Sequence, residues 1–452
     1  MVMAKIQRLF ESSLPINFLS PQSELSLYHQ AFLSSDLGKI YQAIPWQDLV
    51  KSFKLRDSHL GRPGIFSPQG KLALLFLKHY SQLSDHKLIE QLNGNIYYQL
   101  FCGILIPPDQ PLKNGKIVSS IRMELSERLC IEDTQLVLAH YWKPHLKDRD
   151  KLLADATCYE SALRFPTDLK LLWESVSWSY DQLKWISKNL GLRMPRSKYL
   201  KWAARYQSYS RKRKARIKEK RSLRAGLLRL LQKLLAILED RLAEGGIIPE
   251  DYPRFETVSK VLDQQWAYFF EGIKPKGRIV SLAKPYLRPI VRGKEIKAIE
   301  FGAKVNKIQI DGINFIEHLS FEAFNEGTRL KASVRLGQKL FGKVRVLGAD
   351  QIYATNANRK YCTKRKIQTD FRRKGRPGKF EDQRKLLAKM ITKERASRLE
   401  GSFGNEKNHY LLKAIRARTK KSEILWIFFG IHTANALNIG RRMHQKSLKK
   451  VA

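Results

Sequence analysis

Three stretches typical of β-strands constrain the fold most, because helix-forming sequence separates them widely. They are residues 151–159 (KLLADATCY), 296–319 and 343–350 (KVRVLGAD). Within the second stretch, Asp311-Gly312 is a dipeptide that favours a hairpin turn between two strands. Strands mixed with helices, with acidic residues near strand ends, predict an α/β domain whose functional site lies along one edge of the sheet.

Carboxylates occupy three positions suited to phosphodiester chemistry. Asp155 and Asp350 fall in the first and third strand-like stretches, and Glu400 lies in a helical segment with Lys407 on the same face. Hydrolysis or transfer of a phosphodiester needs charge stabilised on the attacking and leaving oxygens, which two divalent ions held by carboxylates provide. Since Mg²⁺ prefers oxygen ligands and keeps several waters, three acidic residues that converge in the fold are enough.

Neighbouring acids compete for these positions. They are Asp148, Asp150, Asp311, Glu394 and Glu406. The first two precede the apolar strand, and the third is expected in an exposed hairpin turn. The glycine pattern that follows Glu400 favours it over the last two.

The charge of the chain indicates its partner. Lysine and arginine number 84 against 42 acidic residues, a formal net charge of +42. An excess of this size attracts a polyanion, so we expect DNA or RNA as the partner. A membrane surface is less favoured, because the sequence lacks both a run of about 18 apolar residues and a signal-peptide layout. Four dispersed cysteines fit neither a zinc site nor a disulfide framework, which indicates reduced thiols in a cytoplasm.

Residues 1–145 have the pattern of a mostly helical domain. Residues 61–64 (GRPG) indicate a loop, Ser67-Pro68 opens a helix, and Ser84 caps the next one. Short helices joined by tight turns are compatible with a helix-turn-helix DNA-binding module, and equally with a helical bundle packed on a catalytic core.

A basic, mainly helical insertion is expected at residues 179–285. Nine of the fourteen residues from Arg211 to Arg224 are lysine or arginine, and a leucine stripe ended by Gly245-Gly246 follows them. This charge density favours a helix or helical hairpin lying on phosphates over a solvated face. The candidates for DNA contact in this run are Arg211, Lys212, Arg213 and Lys214.

Residues 146–178 and 286–440 are expected to form one catalytic domain around this insertion, with residues 441–452 as a basic tail. Helices are predicted at residues 169–177 and 321–340, and residues 381–410 form one long helix or two. Arg376 lies in a Gly-Arg-Pro sequence similar to an AT-hook core, which makes it a candidate for minor-groove contact. A flexible loop is the favoured alternative there.

Five short segments together resemble bacterial insertion-sequence transposases of the DDE type. They are LADAT (153–157), RPIVRGK (288–294), EFGAK (300–304), LGADQIY (347–353) and RLEGSFG (398–404). The resemblance is to the broad group of insertion-sequence families four and five, and it covers nearly the whole chain. Residues 65–104 are similar to that group's N-terminal helical domain, and residues 150–440 to its catalytic domain.

This resemblance implies an RNase H-like core, a mixed sheet flanked by helices. It implies that Asp155, Asp350 and Glu400 are both the catalytic residues and the metal ligands. The implied ion is Mg²⁺, for which Mn²⁺ substitutes.

The resemblance also implies residues that contact DNA. In related transposases a basic residue seven positions after the glutamate lies near the scissile phosphate, and Lys407 matches that position. Ala396 occupies the usual place of an arginine, so Arg395 or Arg398 is expected to take over its role.

The implied function is a DNA transposase that binds the terminal inverted repeats of its own element. It would nick the ends with a metal-activated water and use the freed 3′-hydroxyl to attack target DNA. The expected partner is double-stranded DNA, on which the protein would be a homodimer. The expected location is the cytoplasm, in association with the nucleoid. Two rivals are a metal-dependent nuclease without strand transfer and a decayed, inactive transposase that acts as a repressor. An RNA-binding protein is a weaker third.

Overall fold

The computed structural model describes residues 6–9, 24–57, 64–245, 252–291 and 299–451. The strands in these ranges are β1 Gln7–Arg8, β2 Ile104–Leu105, β3 Lys151–Glu160, β4 Pro289–Val291, β5 Ile299–Ile310, β6 Ile313–Ser320, β7 Val346–Ala349 and β8 Gln368–Thr369. The α-helices are α1 Glu24–Ser34, α2 Asp36–Gln42, α3 Trp46–Ser52, α4 Pro68–Ser81, α5 Asp85–Gly94, α6 Ile96–Cys102, α7 Ile117–Ser126, α8 Ile131–Trp142, α9 Asp168–Asn189, α10 Tyr199–Arg211, α11 Ile217–Ala243, α12 Tyr252–Trp266, α13 Leu330–Phe341, α14 Asn356–Lys364, α15 Glu381–Glu394, α16 Gly401–His409 and α17 Lys420–Val451.

The chain divides into two units. The first comprises Met1–Ser161, Ala303–Ser320 and Phe324–Ala452, and the second Ala162–Gly302 with Phe321–Ala323. Among the described helices, none combines the length and the apolar character needed to span a membrane.

A mixed sheet forms the centre of the first unit. Strand β7 runs parallel to β3, and β8 runs parallel to β7. On the other side of β3 lies β5, with β6 antiparallel to β5. Helix α13 packs against β3 and α15 against β7, so β3 is buried along most of its length. The predicted α/β class, a mixed sheet flanked by helices, is confirmed.

The hairpin turn at Asp311-Gly312 is confirmed as well. Both residues have positive φ, 47° and 80°, the backbone that a two-residue hairpin turn requires. The expectation that Asp311 is exposed was wrong. Its side chain is only 10% exposed, because the guanidinium of Arg442 lies 2.9 Å from its carboxylate.

Helices of the N-terminal region pack on α17. The predicted caps are confirmed: the hydroxyl of Ser67 accepts a hydrogen bond from Gly70 N, and that of Ser84 from Lys87 N. Helix α17 contacts α2, α4, α7 and strand β6, and the Phe76 and Phe429 rings lie 4.8 Å apart. The predicted loop at residues 61–64 lies outside the described residues except for its last position.

The second unit is mainly helical. Helix α9 begins after Thr167, whose side chain accepts a hydrogen bond from Lys170 N. It extends to Asn189, twelve residues further than expected, because buried apolar positions such as Leu183 and Ile186 continue its stripe. The leucine stripe of α11 is buried, as expected, against α9, α10 and α12. Helix α11 ends at Ala243, just before Gly245; Gly246 lies outside the described residues.

Two boundaries in the first unit differ from expectation, and one alternative that the sequence left open is decided. The helix expected from residue 321 begins only at Leu330, because the Asn325 side chain accepts from Gly327 N and starts a 3₁₀ turn instead. Residues 381–410 form two α-helices joined by a π-helical turn. The expected tail at 441–452 continues α17 as far as Val451.

Candidate active site

Parallel pairing places Asp155 and Asp350 side by side. Ala154 pairs with Ala349 across β3 and β7, so the next position on each strand is an aspartate. Asp155 lies in the middle of ten-residue β3, not at a strand end as expected, whereas Asp350 follows directly after β7. Each aspartate also accepts a hydrogen bond from the next backbone amide, Ala156 N at 2.8 Å and Gln351 N at 2.7 Å.

Glu400 reaches the same place from a π-helical turn. Residues Arg395–Glu400 form this turn between α15 and α16. A π-turn has one residue more than an α-turn, so residues five apart lie above one another. Arg395 and Glu400 therefore share a face, whereas Ala396, the place at which the resemblance implies an arginine, lies one residue nearer to Glu400. The π-turn was not predicted from the sequence.

The Arg395 guanidinium lies among the three carboxylates. Its terminal nitrogens are 3.8 Å from Asp155, 3.9 Å from Asp350 and 3.7 Å from Glu400. These distances are ion pairs without hydrogen bonds. Nε of Arg395 is buried and finds no hydrogen-bond partner among the residues that the structure describes. One cation thus compensates three acids without holding any of them rigidly. We call these four residues the open cluster.

Two further acids, Glu326 and Asp370, lie near the open cluster. Burial is the main cause that raises the pKa of Asp155 to about 6, and the nearby Glu326 carboxylate raises it further. Asp370, just after β8, accepts from Ala349 N at 3.2 Å, and burial raises its pKa. Neither acid was predicted from the sequence. For Asp370 the reason is that the two-residue strand before it is too short to give a pattern.

A second charged cluster is fully buried next to the first. The Lys307 ammonium lies 2.6 Å from Glu406, and neither side chain is exposed. The same carboxylate accepts from the hydroxyl of Tyr159 and from Asn314 Nδ2 at 2.9 Å. Burial, and then the Glu406 carboxylate, raise the pKa of Tyr159; burial lowers that of Lys307. We call Tyr159, Lys307, Asn314 and Glu406 the closed cluster.

The predicted basic residues fall in different surroundings. Lys407 lies 5.9 Å from the centre of the Tyr159 ring, on the helix that follows Glu400. Arg398 turns away from the open cluster and pairs with Glu394 at 3.0 Å and with Asp311 at 3.4 Å. Of the two arginines considered for the missing position, only Arg395 joins the three carboxylates.

The remaining candidates lie away from the open cluster in sequence. Arg211 ends α10 and the next residues form the exposed connection to α11, where Lys212 pairs with Glu219 at 2.6 Å. Arg213 and Lys214 are exposed there, in the second unit. In the first unit, Arg376 is exposed between β8 and α15.

The open cluster offers oxygen ligands to a cation. Three carboxylates face one positive centre, the donor set that divalent ions such as Mg²⁺ prefer. In the described part of the chain, however, no three acidic, histidine or cysteine side chains lie close enough to hold an ion as they stand. The donor chemistry fits a divalent ion, and the guanidinium occupies the point on which the donors converge.

Two family models match the chain. A transposase domain (DUF772) matches residues 27–122, and a transposase DDE domain matches residues 347–431. The second range contains Asp350, Arg395 and Glu400, whereas Asp155 lies outside both. Searches of curated proteins and of solved structures found no match.

Proposed function

We propose that the chain, which carries a transposase domain and a transposase DDE domain, is a DDE transposase of an insertion sequence. It binds the terminal inverted repeats of its own element, cleaves strands there and transfers them to target DNA. The observation that carries the proposal is the convergence of Asp155, Asp350 and Glu400 on the Arg395 guanidinium. Carboxylates from two adjacent strands and a helix, on an RNase H-like sheet, form a catalytic triad of acids.

DDE transposase domains generally use divalent metal ions. We assign Mg²⁺ to this chain, with Mn²⁺ as a substitute, and Asp155, Asp350 and Glu400 as the residues that would hold it. A bound ion supplies charge stabilisation to the attacking and leaving oxygens of a phosphodiester.

The chain's own basic residues complete the proposed site. Arg395 lies 3.8 Å from Asp155 and would contact a phosphate that reacts among the three carboxylates. Lys407, seven residues beyond Glu400, would contact the DNA backbone near the scissile phosphate. Arg398 is less suited to that role, because Glu394 and Asp311 already hold it.

Pairing two element ends requires two active sites. We therefore assign a homodimer as the state of the chain on DNA. The exposed run of Arg211, Lys212, Arg213 and Lys214, and separately Arg376, are proposed as further backbone contacts, whose loss would weaken binding uniformly across sequences.

Metal-dependent cleavage of DNA that carries the gene's native flanks tests the proposal. Wild type should cut at the element ends and join them to new target DNA. Alanine at Asp155, Asp350 or Glu400 should lower cleavage about 10³-fold or more, since each loses several kcal/mol of charge stabilisation. Asp382→Ala is the matched control, because it removes a fully exposed carboxylate from α15 in the same family-matched range.

The outcomes separate the rival functions. Cleavage without joined products would indicate a nuclease that lacks strand transfer. Specific end binding without cleavage by wild type would indicate a repressor. Cleavage that survives one of the three alanine substitutions would show that this carboxylate is not a catalytic residue.

A further inference from the structure

Two cavities of the first unit join into one groove. They have volumes of about 520 and 690 Å³, and they share Asp85, Arg122 and Arg416 in their lining. One side of the groove comes from the N-terminal helices α4, α5 and α7, and the other from residues 411–419, between α16 and α17. Lys407 lines one of the two cavities, and Lys116 lines the other. We call this the basic groove.

The charge of the basic groove is strongly positive. Its lining in the described residues contains eight lysine or arginine side chains and one acid, Asp85. The carboxylate of Asp85 is already compensated, because Lys78 and Arg122 both lie 2.8 Å from it. The exposed cations that form no salt bridge within the described part of the chain are Lys113, Lys116, Lys413, Arg416 and Arg418. Such a concentration of one sign attracts an extended polyanion.

The segment at residues 411–419 is held rigidly and presents its cations outward. Ile415 N donates to the carbonyl of Glu160 at 2.8 Å, at the end of β3. Trp426 Nε1 donates to the carbonyl of Leu411 at 3.0 Å. Burial alternates from there on, since Ile415 and Ala417 are buried whereas Arg416 and Arg418 are exposed. This period of two aims both guanidinium groups to the same side.

The lining favours the phosphate backbone over unstacked bases. Binding of single strands relies on exposed aromatic rings that stack on bases. Among the described lining residues, the Trp426 ring is only 5% exposed and lies under the cations of Lys78 and Arg122, which leaves the His86 imidazole as the exposed ring. Lysine and arginine side chains, which contact backbone phosphates, far outnumber that single ring.

The groove begins close to the open cluster. Lys407 follows Glu400 by seven residues of helix, a rise of about 10 Å. One DNA strand advances about 3.4 Å per phosphate, so about three nucleotides span that distance. A strand whose phosphate lies at Glu400 therefore reaches Lys407 and can continue along Arg416 and Arg418.

We propose that the basic groove binds the phosphate backbone of duplex DNA next to the cleavage site. This inference rests on the proposed function and adds to it a surface built jointly by the N-terminal helices and residues 411–419. It assigns backbone contacts to Lys113, Lys116, Lys413, Arg416 and Arg418.

The test measures the salt dependence of binding to a random-sequence DNA duplex, for full-length wild type and variants, between about 50 and 200 mM salt. Arg416→Ala/Arg418→Ala should weaken binding and reduce the slope of log affinity against log salt by about 1.8, since each lost phosphate contact removes about 0.9. Lys113→Ala/Lys116→Ala, on the opposite side of the groove, should give a similar reduction. Lys343→Ala/Lys364→Ala removes the same charge from exposed positions outside the groove and should leave the slope unchanged.

The results distinguish failure of the groove from failure of the proposed function. Wild type without affinity for the duplex would overturn both. Wild-type binding with the full slope retained in both groove variants would overturn the groove alone and leave the transposase proposal standing. Tighter binding of a hairpin RNA than of the duplex, with that preference lost in the groove variants, would assign the groove to RNA and overturn the inference.

Discussion

The open and closed clusters lie six residues apart on one helical segment and are built in opposite ways. In the open cluster, Arg395 lies 3.7 to 3.9 Å from its acids, and the side chains of Asp350 and Glu400 are about half exposed. In the closed cluster, Glu406 is fully buried and accepts hydrogen bonds from Lys307, Tyr159 and Asn314. The open cluster keeps its oxygens available, whereas the closed cluster uses them all.

The difference indicates that the two clusters have separate roles: the closed cluster anchors the helix, and the open cluster presents its carboxylates. Lys307 comes from β5 and Tyr159 from β3, the strand that also carries Asp155, so the closed cluster ties α16 to the sheet. A buried charge pair with all its hydrogen bonds made has few alternative arrangements. Glu400, one end of the same segment, can then be exposed and weakly held without losing its position relative to Asp155.

Breaking the closed cluster should have the largest effect on stability. Glu406→Gln leaves the buried Lys307 ammonium without a counter-ion, and we expect the free energy of unfolding to fall by about 3–5 kcal/mol. Lys307→Met/Glu406→Gln should recover a large part of this loss, because no uncompensated charge remains. Glu400→Gln, in the open cluster, should change stability by less than about 0.5 kcal/mol.

Urea unfolding followed by circular dichroism measures all three variants. If the single and double variants of the closed cluster were equally unstable, the ion pair would not be what holds the helix. A comparable loss in Glu400→Gln would remove the contrast between the clusters.

Acid should weaken the region beside the closed cluster. Burial, together with the Lys307 charge, lowers the pKa of His432 to about 3, and burial lowers that of His79 to about 3 as well. Each folded imidazole therefore binds fewer protons than its unfolded form, so stability falls as pH drops below about 6.5. At pH 5 each histidine should cost about 2 kcal/mol relative to pH 8.

His432→Phe tests this in the core next to Lys307. The difference in unfolding free energy between pH 8 and pH 5 should shrink by about 2 kcal/mol relative to wild type. His79, whose Nδ1 donates to the carbonyl of Tyr410, keeps its lowered pKa in this variant, so its own contribution to the pH dependence should remain. An undiminished pH dependence would mean that His432 becomes protonated without unfolding.

The strand-borne acids could be predicted from the sequence, because strands leave local patterns. Apolar runs that end in or contain an aspartate made Asp155 and Asp350 candidates, and the resemblance to transposases selected them from the other acids. The parallel register of β3 and β7 brings them together. The prediction that Asp155 lies at a strand end was wrong, because a polar residue inside an apolar run has the same local pattern as the end of a strand. Whether these residues catalyse the reaction stays a prediction.

The cations could not be predicted in the same way, because their partners lie far away in the chain. Lys307 and Glu406 are 99 residues apart, and a buried lysine has no local signature. Arg395 was one of two choices until the π-turn set the face on which it lies. Backbone hydrogen-bond register, not residue type, decides that choice, and a single inserted residue changes it.

Removing Arg395 should allow the open cluster to bind a divalent ion more tightly, and this is the smallest of the predicted effects. A unit charge pair near 4 Å contributes about 1 to 4 kcal/mol between bulk water and a protein surface, so the guanidinium competes with any divalent ion for the three carboxylates. Arg395→Ala should therefore bind Mn²⁺ about tenfold more tightly than wild type, a gain of about 1.4 kcal/mol, measured by calorimetry without DNA. Arg398→Ala is the matched control, since that arginine carries the same charge outside the cluster. Unchanged or weaker Mn²⁺ binding in Arg395→Ala would show that the guanidinium does not occupy the ion's place but helps to assemble it, and the open cluster would then resemble the closed one in depending on its cation.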